Sequence, residues 1–130
     1  MLTNMTVADY LTFSAQGTAQ WCYAEEYRPL KMYLRRDMHV VPVAPPETRR
    51  AVRCLTIANV ENNGIKDRGY FTMALDGIET MLRQPWVRRE AEVLYVENVL
   101  NARFREYLIR RGFREIPETG YPPSCFKVIE

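Results

Sequence analysis

Apolar residues recur at helical spacing in two stretches of the chain. Between residues 71 and 82 they fall at i, i+3, i+4, i+7, i+10 and i+11, which predicts a helix with one apolar face that ends near Gln84 and Pro85. In the second stretch, polar residues at 101, 103, 105, 106 and 110 face away from the stripe, and Gly112 ends the helix. The second stripe consists of Leu100, Phe104, Tyr107 and Leu108.

Other apolar segments predict strands in the second half of the chain. Residues 51–60, AVRCLTIANV, form a long and nearly continuous apolar run, which is typical of a central strand buried on both faces. Residues 92–96 predict a shorter strand between the two helices. Residues 113–116 and 124–129 predict two further strands, joined by the turn-rich residues 117–123.

The first third of the chain predicts two short helices followed by a hairpin. Thr6 caps the first helix, a glycine-threonine pair interrupts it, and the second helix covers residues 19–27. The hairpin has its turn at Arg36 and Asp37, between strands at residues 30–34 and 38–43.

The predicted order is therefore helices, hairpin, long strand, helix, strand, helix and two strands. A strand–helix–strand unit implies a parallel pair with a right-handed crossover, so the predicted fold class is α/β with a mixed sheet. Ligands of such sheets bind beyond the carboxyl ends of the parallel strands. The chemistry is expected where the strands at residues 51–60 and 92–96 end.

Composition narrows the class of protein. The 130 residues suit one domain, and 47% hydrophobic with 26% charged residues is globular. No apolar run approaches the ~20 residues of a membrane span, and no basic segment precedes an apolar one at the N-terminus. We therefore expect a soluble, cytoplasmic protein with no membrane partner. The net charge of +2 does not by itself imply a nucleic-acid partner, although four Arg-Arg pairs could cluster in the fold.

Cysteine and histidine usage indicates neither a disulfide framework nor a metal site. Cys22, Cys54 and Cys125 are far apart in the sequence and accompanied by a single histidine, His39. We expect the cysteines to be buried as small apolar side chains. His39 is expected in a satisfied or exposed position of the hairpin rather than in catalysis.

Two stretches between residues 51 and 113 have the order strand, loop, helix, strand and helix ending in Gly-Phe. They read AVRCLTIANVENNGIKDRGYFTMALDGIETM and EVLYVENVLNARFREYLIRRGF. Together they resemble the GNAT superfamily of N-acetyltransferases. The resemblance implies one GNAT-like domain over residues 1–130, with a mixed, mostly antiparallel sheet, a central splayed parallel pair and flanking helices. It implies a short, divergent member, of a kind frequent in phage genomes.

The same resemblance implies an N-acyltransferase that uses an acyl-CoA, most simply acetyl-CoA. The acyl group would pass directly to an amine of an unknown acceptor, with proteins and nucleic acids as candidates. Only six residues precede the first predicted helix, so the acceptor pocket would be open or completed by a second subunit in a homodimer. A catalytically inactive GNAT-like protein that binds a macromolecular partner is the alternative. An α/β nucleic-acid-modifying enzyme of related fold is a third.

The resemblance also assigns a cofactor site. The family's phosphate loop corresponds to residues 66–71, with Phe71 in place of the second glycine. Such a loop binds pyrophosphate because the amides at a helix N-terminus have no partners and carry a partial positive charge. From composition alone, Asn63 and Gly64 would form a turn and Asp67 would cap the helix with no ligand. Backbone groups at the end of the long strand would hold the pantetheine arm and thioester oxygen. The assigned residues are Ala58, Asn59, Val60, Lys66, Arg68, Gly69, Tyr70, Phe71 and Asn101.

Catalytic residues follow from the same comparison. The family tyrosine that protonates the departing thiolate lies four residues before the glycine, where this chain has Leu108. Tyr107 is the candidate acid, although it lies about 100° around the helix and its ring is expected to face the core. Glu61 and Glu97, which follow the two parallel strands, are the candidate bases, with solvated glutamates as the alternative. Asn98 is expected to brace the helix, whereas for Asn101 a hydrogen bond to the pantetheine amide and a role as helix cap are equally open.

Overall fold

The described part of the chain contains both helices and strands. The computed structural model describes residues 2–3, 5–15, 21–44, 48–62, 64, 69–116, 120 and 122–130. Its elements, in chain order, are β1 (Leu2–Thr3), α1 (Val7–Ala15), β2 (Trp21–Ala24), β3 (Leu30–Ala44), β4 (Thr48–Asn62), α2 (Tyr70–Leu82), α3 (Pro85–Arg88), β5 (Val93–Val96), α4 (Ala102–Arg110), β6 (Arg114–Ile116) and β7 (Ser124–Val128).

Seven strands of the described residues form one sheet in the order β1-β2-β3-β4-β5-β7-β6. The central pair is parallel, with residues 54–57 of β4 facing residues 93–96 of β5. The two-residue β1 is also parallel to β2, and the remaining pairs are antiparallel. The predicted fold class, a mixed and mostly antiparallel sheet with a central parallel pair and flanking helices, is confirmed.

The helix predicted at residues 19–27 is wrong, because the structure has strand β2 there. Trp21 and Tyr23 lie partly exposed on one face of this strand, while Cys22 and Ala24 are buried on the other. A side-chain period of two belongs to a strand, and aromatic residues favour strands.

The turn predicted at Arg36 and Asp37 is also wrong. β3 continues through both residues, which pair with Leu55 and Cys54 of β4. Charged side chains can lie within a strand when a neighbouring element satisfies them. Here Arg36 donates a hydrogen bond to Glu90 at 3.0 Å.

The main core lies on one face of the sheet, under the helices. α2 contributes the apolar face that its periodicity predicted, and Leu108 of α4 is fully buried. Leu100, in contrast, is 66% exposed, because α4 begins at Ala102 rather than one turn earlier. Buried residues of the core outside α2 include Val7, Tyr10, Leu11, Leu34, Leu55, Ile57, Val87, Leu94, Val96 and Cys125.

A second, smaller apolar cluster lies on the opposite face of the sheet. It joins Val41 and Val52 of the β3–β4 hairpin to residues of β5, β6 and β7. Arg114 of β6 donates a hydrogen bond to the Pro42 carbonyl oxygen at 3.2 Å. Three strands separate β3 from β6 in the sheet, so this contact requires the twisted sheet to curl until the hairpin end covers the second face.

The three cysteines are buried and free, as the sequence predicted. Burial raises the pKa of Cys22 and of Cys54 to about 12, and that of Cys125 to about 11. These thiols therefore stay protonated and behave as small apolar side chains. Among the described helices, none has the length and apolar character needed to cross a membrane.

Candidate functional site

The parallel strands β4 and β5 separate at one end of their pairing. The last paired residues are Ile57 and Val96, and the Glu97 amide donates a hydrogen bond to the Ile57 carbonyl at 3.0 Å. Beyond this point β4 continues to Asn62, whereas the chain after Glu97 turns at Asn98, which has a φ of 50°. A gap therefore opens beyond Ile57.

A β-bulge in β4 lies at the start of this gap. Leu34 of β3 pairs with Ile57, but the preceding Tyr33 pairs with Asn59, so Ala58 has no partner in the register. A bulge turns backbone groups out of the ladder. Ala58 is partly buried and Asn59 exposed. Two of the residues predicted to contact pantetheine are thus at the position where the strands separate.

Among the described residues, no side chain caps the N-terminus of α2, and the predicted cap Asp67 lies outside them. The N-cap residue, Gly69, has a left-handed backbone with a φ of 72°, and the first helical hydrogen bond runs from the Met73 amide to the Gly69 carbonyl at 3.1 Å. The amides of the first turn have no acceptor within the helix and carry its partial positive charge. A Cβ atom added at Gly69 would meet no atom of the described residues within 4 Å.

A cleft of about 770 Å³ lies between α2, α4 and the end of β4. Of the residues assigned to the cofactor, it brings together Val60, Gly69, Tyr70, Phe71 and Asn101. Lys66 and Arg68, which belong to the predicted phosphate loop, lie outside the described residues. The cleft fits a long anionic cofactor because helix amides and the end of β4 beyond its pairing with β5 both border it.

Aromatic side chains form one wall of the cleft. Phe71 packs edge-on against Phe104 with ring centroids 4.7 Å apart. The Tyr107 hydroxyl is 2.7 Å from the Thr72 Oγ1, and this hydrogen bond links α4 to the first turn of α2. Tyr107 therefore lines the cleft, whereas Leu108, at the position of the family tyrosine, is buried in the core.

The two asparagines have different roles in the local structure. The Asn101 side chain caps α4, since its Oδ1 accepts a hydrogen bond from the Phe104 amide at 3.0 Å. Asn98 does not cap this helix. Its backbone amide donates to the Ser124 Oγ at 3.1 Å, which holds the segment that leaves β5 against β7.

A polar network lies on the second face of the sheet, opposite the cleft. The Thr56 hydroxyl donates a hydrogen bond to the Asp37 Oδ1 at 2.5 Å, and the His39 Nε2 is 3.1 Å from the same oxygen. His39 also stacks on Tyr95 with ring centroids 3.7 Å apart. Sequence analysis missed this network, although polar residues alternate at positions 35, 37 and 39 as they do along one face of a strand.

The two candidate bases are not equivalent. The Glu97 carboxylate is partly buried and forms an ion pair with Arg35, whose Nε is 3.6 Å from the Asp37 carboxylate. Glu97 therefore joins the polar network at the point where β4 and β5 separate. Glu61 is exposed near the end of β4, where it pairs in register with Lys31 of β3.

Three aromatic side chains extend this second face toward the sheet edge. Tyr33, which is opposite Asn59 beside the bulge, packs against Tyr23 at 5.2 Å and Trp21 at 5.4 Å between ring centroids. The Lys31 ammonium lies 4.9 Å from the Tyr23 ring centroid. The gap in the sheet therefore opens onto a mixed aromatic and charged surface on the side away from the cleft.

The mixed sheet, its central parallel pair and the flanking helices form a GNAT-like α/β fold. Solved structures with a similar fold include a variant of KacT in which a tyrosine is replaced by phenylalanine, at a TM-score of 0.59 and 12% identity. AtaT complexed with acetyl-methionyl-tRNAfMet matches with a TM-score of 0.58 and 12% identity. A third match, with a TM-score of 0.56 and 11% identity, is a tyrosine-to-phenylalanine variant of the AtaT toxin bound to the C-terminus of the antitoxin AtaR and acetyl-CoA.

These likenesses concern the fold. The matches cover 77%, 76% and 77% of this chain, in the same order, but only 62%, 61% and 58% of those proteins. The chain therefore spans about three fifths of their length. No protein-family model matches the sequence, and no curated protein does.

Proposed function

We propose that this chain is an acyl-CoA-dependent N-acyltransferase, most simply an acetyltransferase, that transfers the acyl group directly to an amine. The observation that carries the proposal is the cleft, which is bordered by the N-terminal amides of α2 and by the end of β4 beyond its pairing with β5. The presence of acetyl-CoA in a structure of AtaT, a protein of similar fold, supports the same cofactor.

In this proposal each part of the cleft binds one part of the cofactor. The amides of residues 69–71 bind the pyrophosphate, with Lys66 and Arg68 adding positive charge. Backbone groups of Ala58, Asn59 and Val60 pair with the amides of the pantetheine arm, as an added strand would. The Asn101 side chain already caps α4, so its remaining contribution is a hydrogen bond from its NH₂ group.

The chain's own residues then perform the transfer. The acceptor nitrogen attacks the thioester carbon, the new C–N bond forms, and the C–S bond breaks. A backbone N–H at the Ala58 bulge stabilises the oxyanion. We assign Glu97 to remove the amine proton, because it lies where the strands separate, and we keep Glu61 as the second candidate. Tyr107 is the candidate acid that protonates the thiolate.

A second function is favoured by two observations at this site. The position of the family tyrosine is occupied by a buried leucine, Leu108, and the Tyr107 hydroxyl is already bonded to Thr72. Both suit a protein that keeps the fold but works by binding a macromolecule. KacT, which has a similar fold, is known in a KacTA–DNA complex.

The proposed cofactor site is tested by two substitutions of Gly69. Asparagine and aspartate have the same shape and both tolerate a positive φ, so they strain the backbone equally and differ in charge. Gly69→Asp should bind acetyl-CoA about tenfold more weakly than Gly69→Asn, because the carboxylate competes for the α2 amides and repels phosphate. Isothermal titration with acetyl-CoA measures both affinities.

Aspartate should at the same time stabilise α2, since a negative charge is favourable at a helix N-terminus. Weaker binding with unchanged or higher thermal stability would therefore separate a phosphate site from a folding defect. Equal affinities of the two variants would contradict a phosphate at this helix. No binding of acetyl-CoA to the wild-type chain at millimolar concentration would leave the binding-protein alternative.

A further inference from the structure

Two arginines line the cleft without any role in the proposed phosphate loop. Arg103 and Arg110 are both exposed, and within the described part of the chain neither guanidinium has an ion-pair or hydrogen-bond partner. Arg105 on the same helix, in contrast, forms an ion pair with Glu115 at 3.2 Å. No ion pair joins either free arginine to Glu106, which lies between them and also lines the cleft.

The spacing of the two arginines places them at different depths along the cleft. Seven residues are nearly two helical turns, so both side chains leave the same face of α4 about 10 Å apart along its axis. Tyr107 lies between them and touches Thr72 in the first turn of α2. Arg103 therefore lies nearer the start of α4 and the strand ends, and Arg110 lies nearer the end of α4, where the next residue, Arg111, pairs with Asp76 of α2.

Coenzyme A carries two separate phosphate groups, the pyrophosphate and the 3′-phosphate of its ribose. If the thioester end lies in the gap between β4 and β5 and the pyrophosphate at the α2 amides, the nucleotide end continues outward along α4. We propose that Arg110 binds the 3′-phosphate and that Arg103 binds the pyrophosphate together with α2. This inference rests on the proposed function. The arginine fork matches phosphate oxygens, and both guanidinium groups are available.

The test compares CoA with 3′-dephospho-CoA, which lacks only the 3′-phosphate, by isothermal titration with the full chain. Wild-type protein should prefer CoA about tenfold. Arg110→Ala should reduce this preference to about one without changing the affinity for 3′-dephospho-CoA. Arg103→Ala should weaken both ligands by a similar factor. Arg89→Ala, an exposed arginine at the opposite end of β5 that does not line the cleft, should change neither affinity.

Glu106 provides a control of opposite sign. Glu106→Gln removes a negative charge from the cleft and should bind CoA about twofold more tightly, because an exposed charge has only a small effect. An Arg110→Ala variant that keeps the wild-type preference for CoA would overturn the inference. Wild-type binding of both ligands with equal affinity would also overturn it and leave the proposed function standing. Failure of the wild-type protein to bind either ligand would refute both this inference and the proposed function.

Discussion

Asp37 is the residue on which the polar contacts of the second sheet face converge. It accepts a hydrogen bond from Thr56, lies 3.1 Å from the His39 Nε2, and has the Arg35 guanidinium nearby. Burial alone would raise the pKa of Asp37, but the hydrogen bonds and the charges of His39 and Arg35 outweigh burial and lower this pKa. The ionised carboxylate therefore stabilises the folded chain.

This lowered pKa predicts a specific loss of stability in acid. A carboxyl group whose folded pKa lies below its unfolded value stabilises the protein above the unfolded pKa, and the stabilisation is lost as the pH falls through the folded pKa. Between about pH 5 and about pH 2, the free energy of unfolding should therefore fall less in Asp37→Asn than in wild type. Urea unfolding at a series of pH values measures the free energy of unfolding, and Glu61→Gln serves as the control at an exposed carboxylate.

The opposite outcome is also defined. Identical pH profiles for wild type and Asp37→Asn would mean that Asp37 titrates alike in the folded and unfolded chains, and the proposed convergence of contacts would be wrong.

At the scale of elements, one buried carboxylate links α2, the end of α4 and β7. Glu79 of α2 is 3% exposed, and its oxygens are 2.7 Å from the Lys127 ammonium and 2.6 Å from the Arg111 Nε. Lys127 also donates to the Arg111 carbonyl oxygen at 3.0 Å. These contacts hold the C-terminal end of α4 against α2, and residues of both helices line the cleft.

Glu79→Gln should therefore destabilise the protein by about 2–3 kcal/mol, since it leaves the cations Arg83, Arg111 and Lys127 facing a neutral group in a mostly buried site. Asp76→Asn is the matched control, because Asp76 pairs with the same Arg111 at 2.5 Å but is exposed, and its loss should cost about 1 kcal/mol or less. Chemical unfolding gives both values. Equal effects of the two substitutions would mean that burial does not distinguish these carboxylates.

At the scale of the whole molecule, the sheet separates two surfaces that the proposed reaction needs at once. The cleft lies on the face covered by α2 and α4, whereas Arg35, Asp37 and Glu97 lie on the other face. The gap beyond Ile57 is where the two surfaces come closest. An amine acceptor that approaches from the second face would meet Glu97 before it reaches a thioester held in the gap.

This separation predicts that Glu97 affects the reaction and not cofactor binding. Glu97→Gln should leave the affinity for acetyl-CoA unchanged but lower the rate of acyl transfer to primary amines about a hundredfold, as expected for loss of a general base. Titration calorimetry measures the affinity, and release of the CoA thiol with a panel of amines measures the rate. Glu61→Gln is the comparison. A normal rate in Glu97→Gln with a slow Glu61→Gln would transfer the role to Glu61.

Most of the fold after residue 48 was predictable, because the pattern of burial there repeats locally. α2 and Leu108 present the apolar faces that their periodicity indicates, and Gly112 has the positive φ of 105° expected after a helix. The strand–helix–strand order correctly predicted the parallel pair of β4 and β5. The errors at β2 and β3 have one cause, since aromatic and charged residues were assigned from local propensity while contacts with distant strands determined their structure.

The sequence by itself determined the order of the main elements after residue 48, the apolar faces and the residues that follow each parallel strand, because these depend on side chains close together in the chain. Only the tertiary structure decided where β4 and β5 separate, which residue bulges, which arginines keep free guanidinium groups and which carboxylates are paired. Ala58 is unmatched because Tyr33 pairs with Asn59, and Glu97 meets Arg35 from 62 residues away. Such contacts depend on pairing register between distant segments, which no local pattern of residues records.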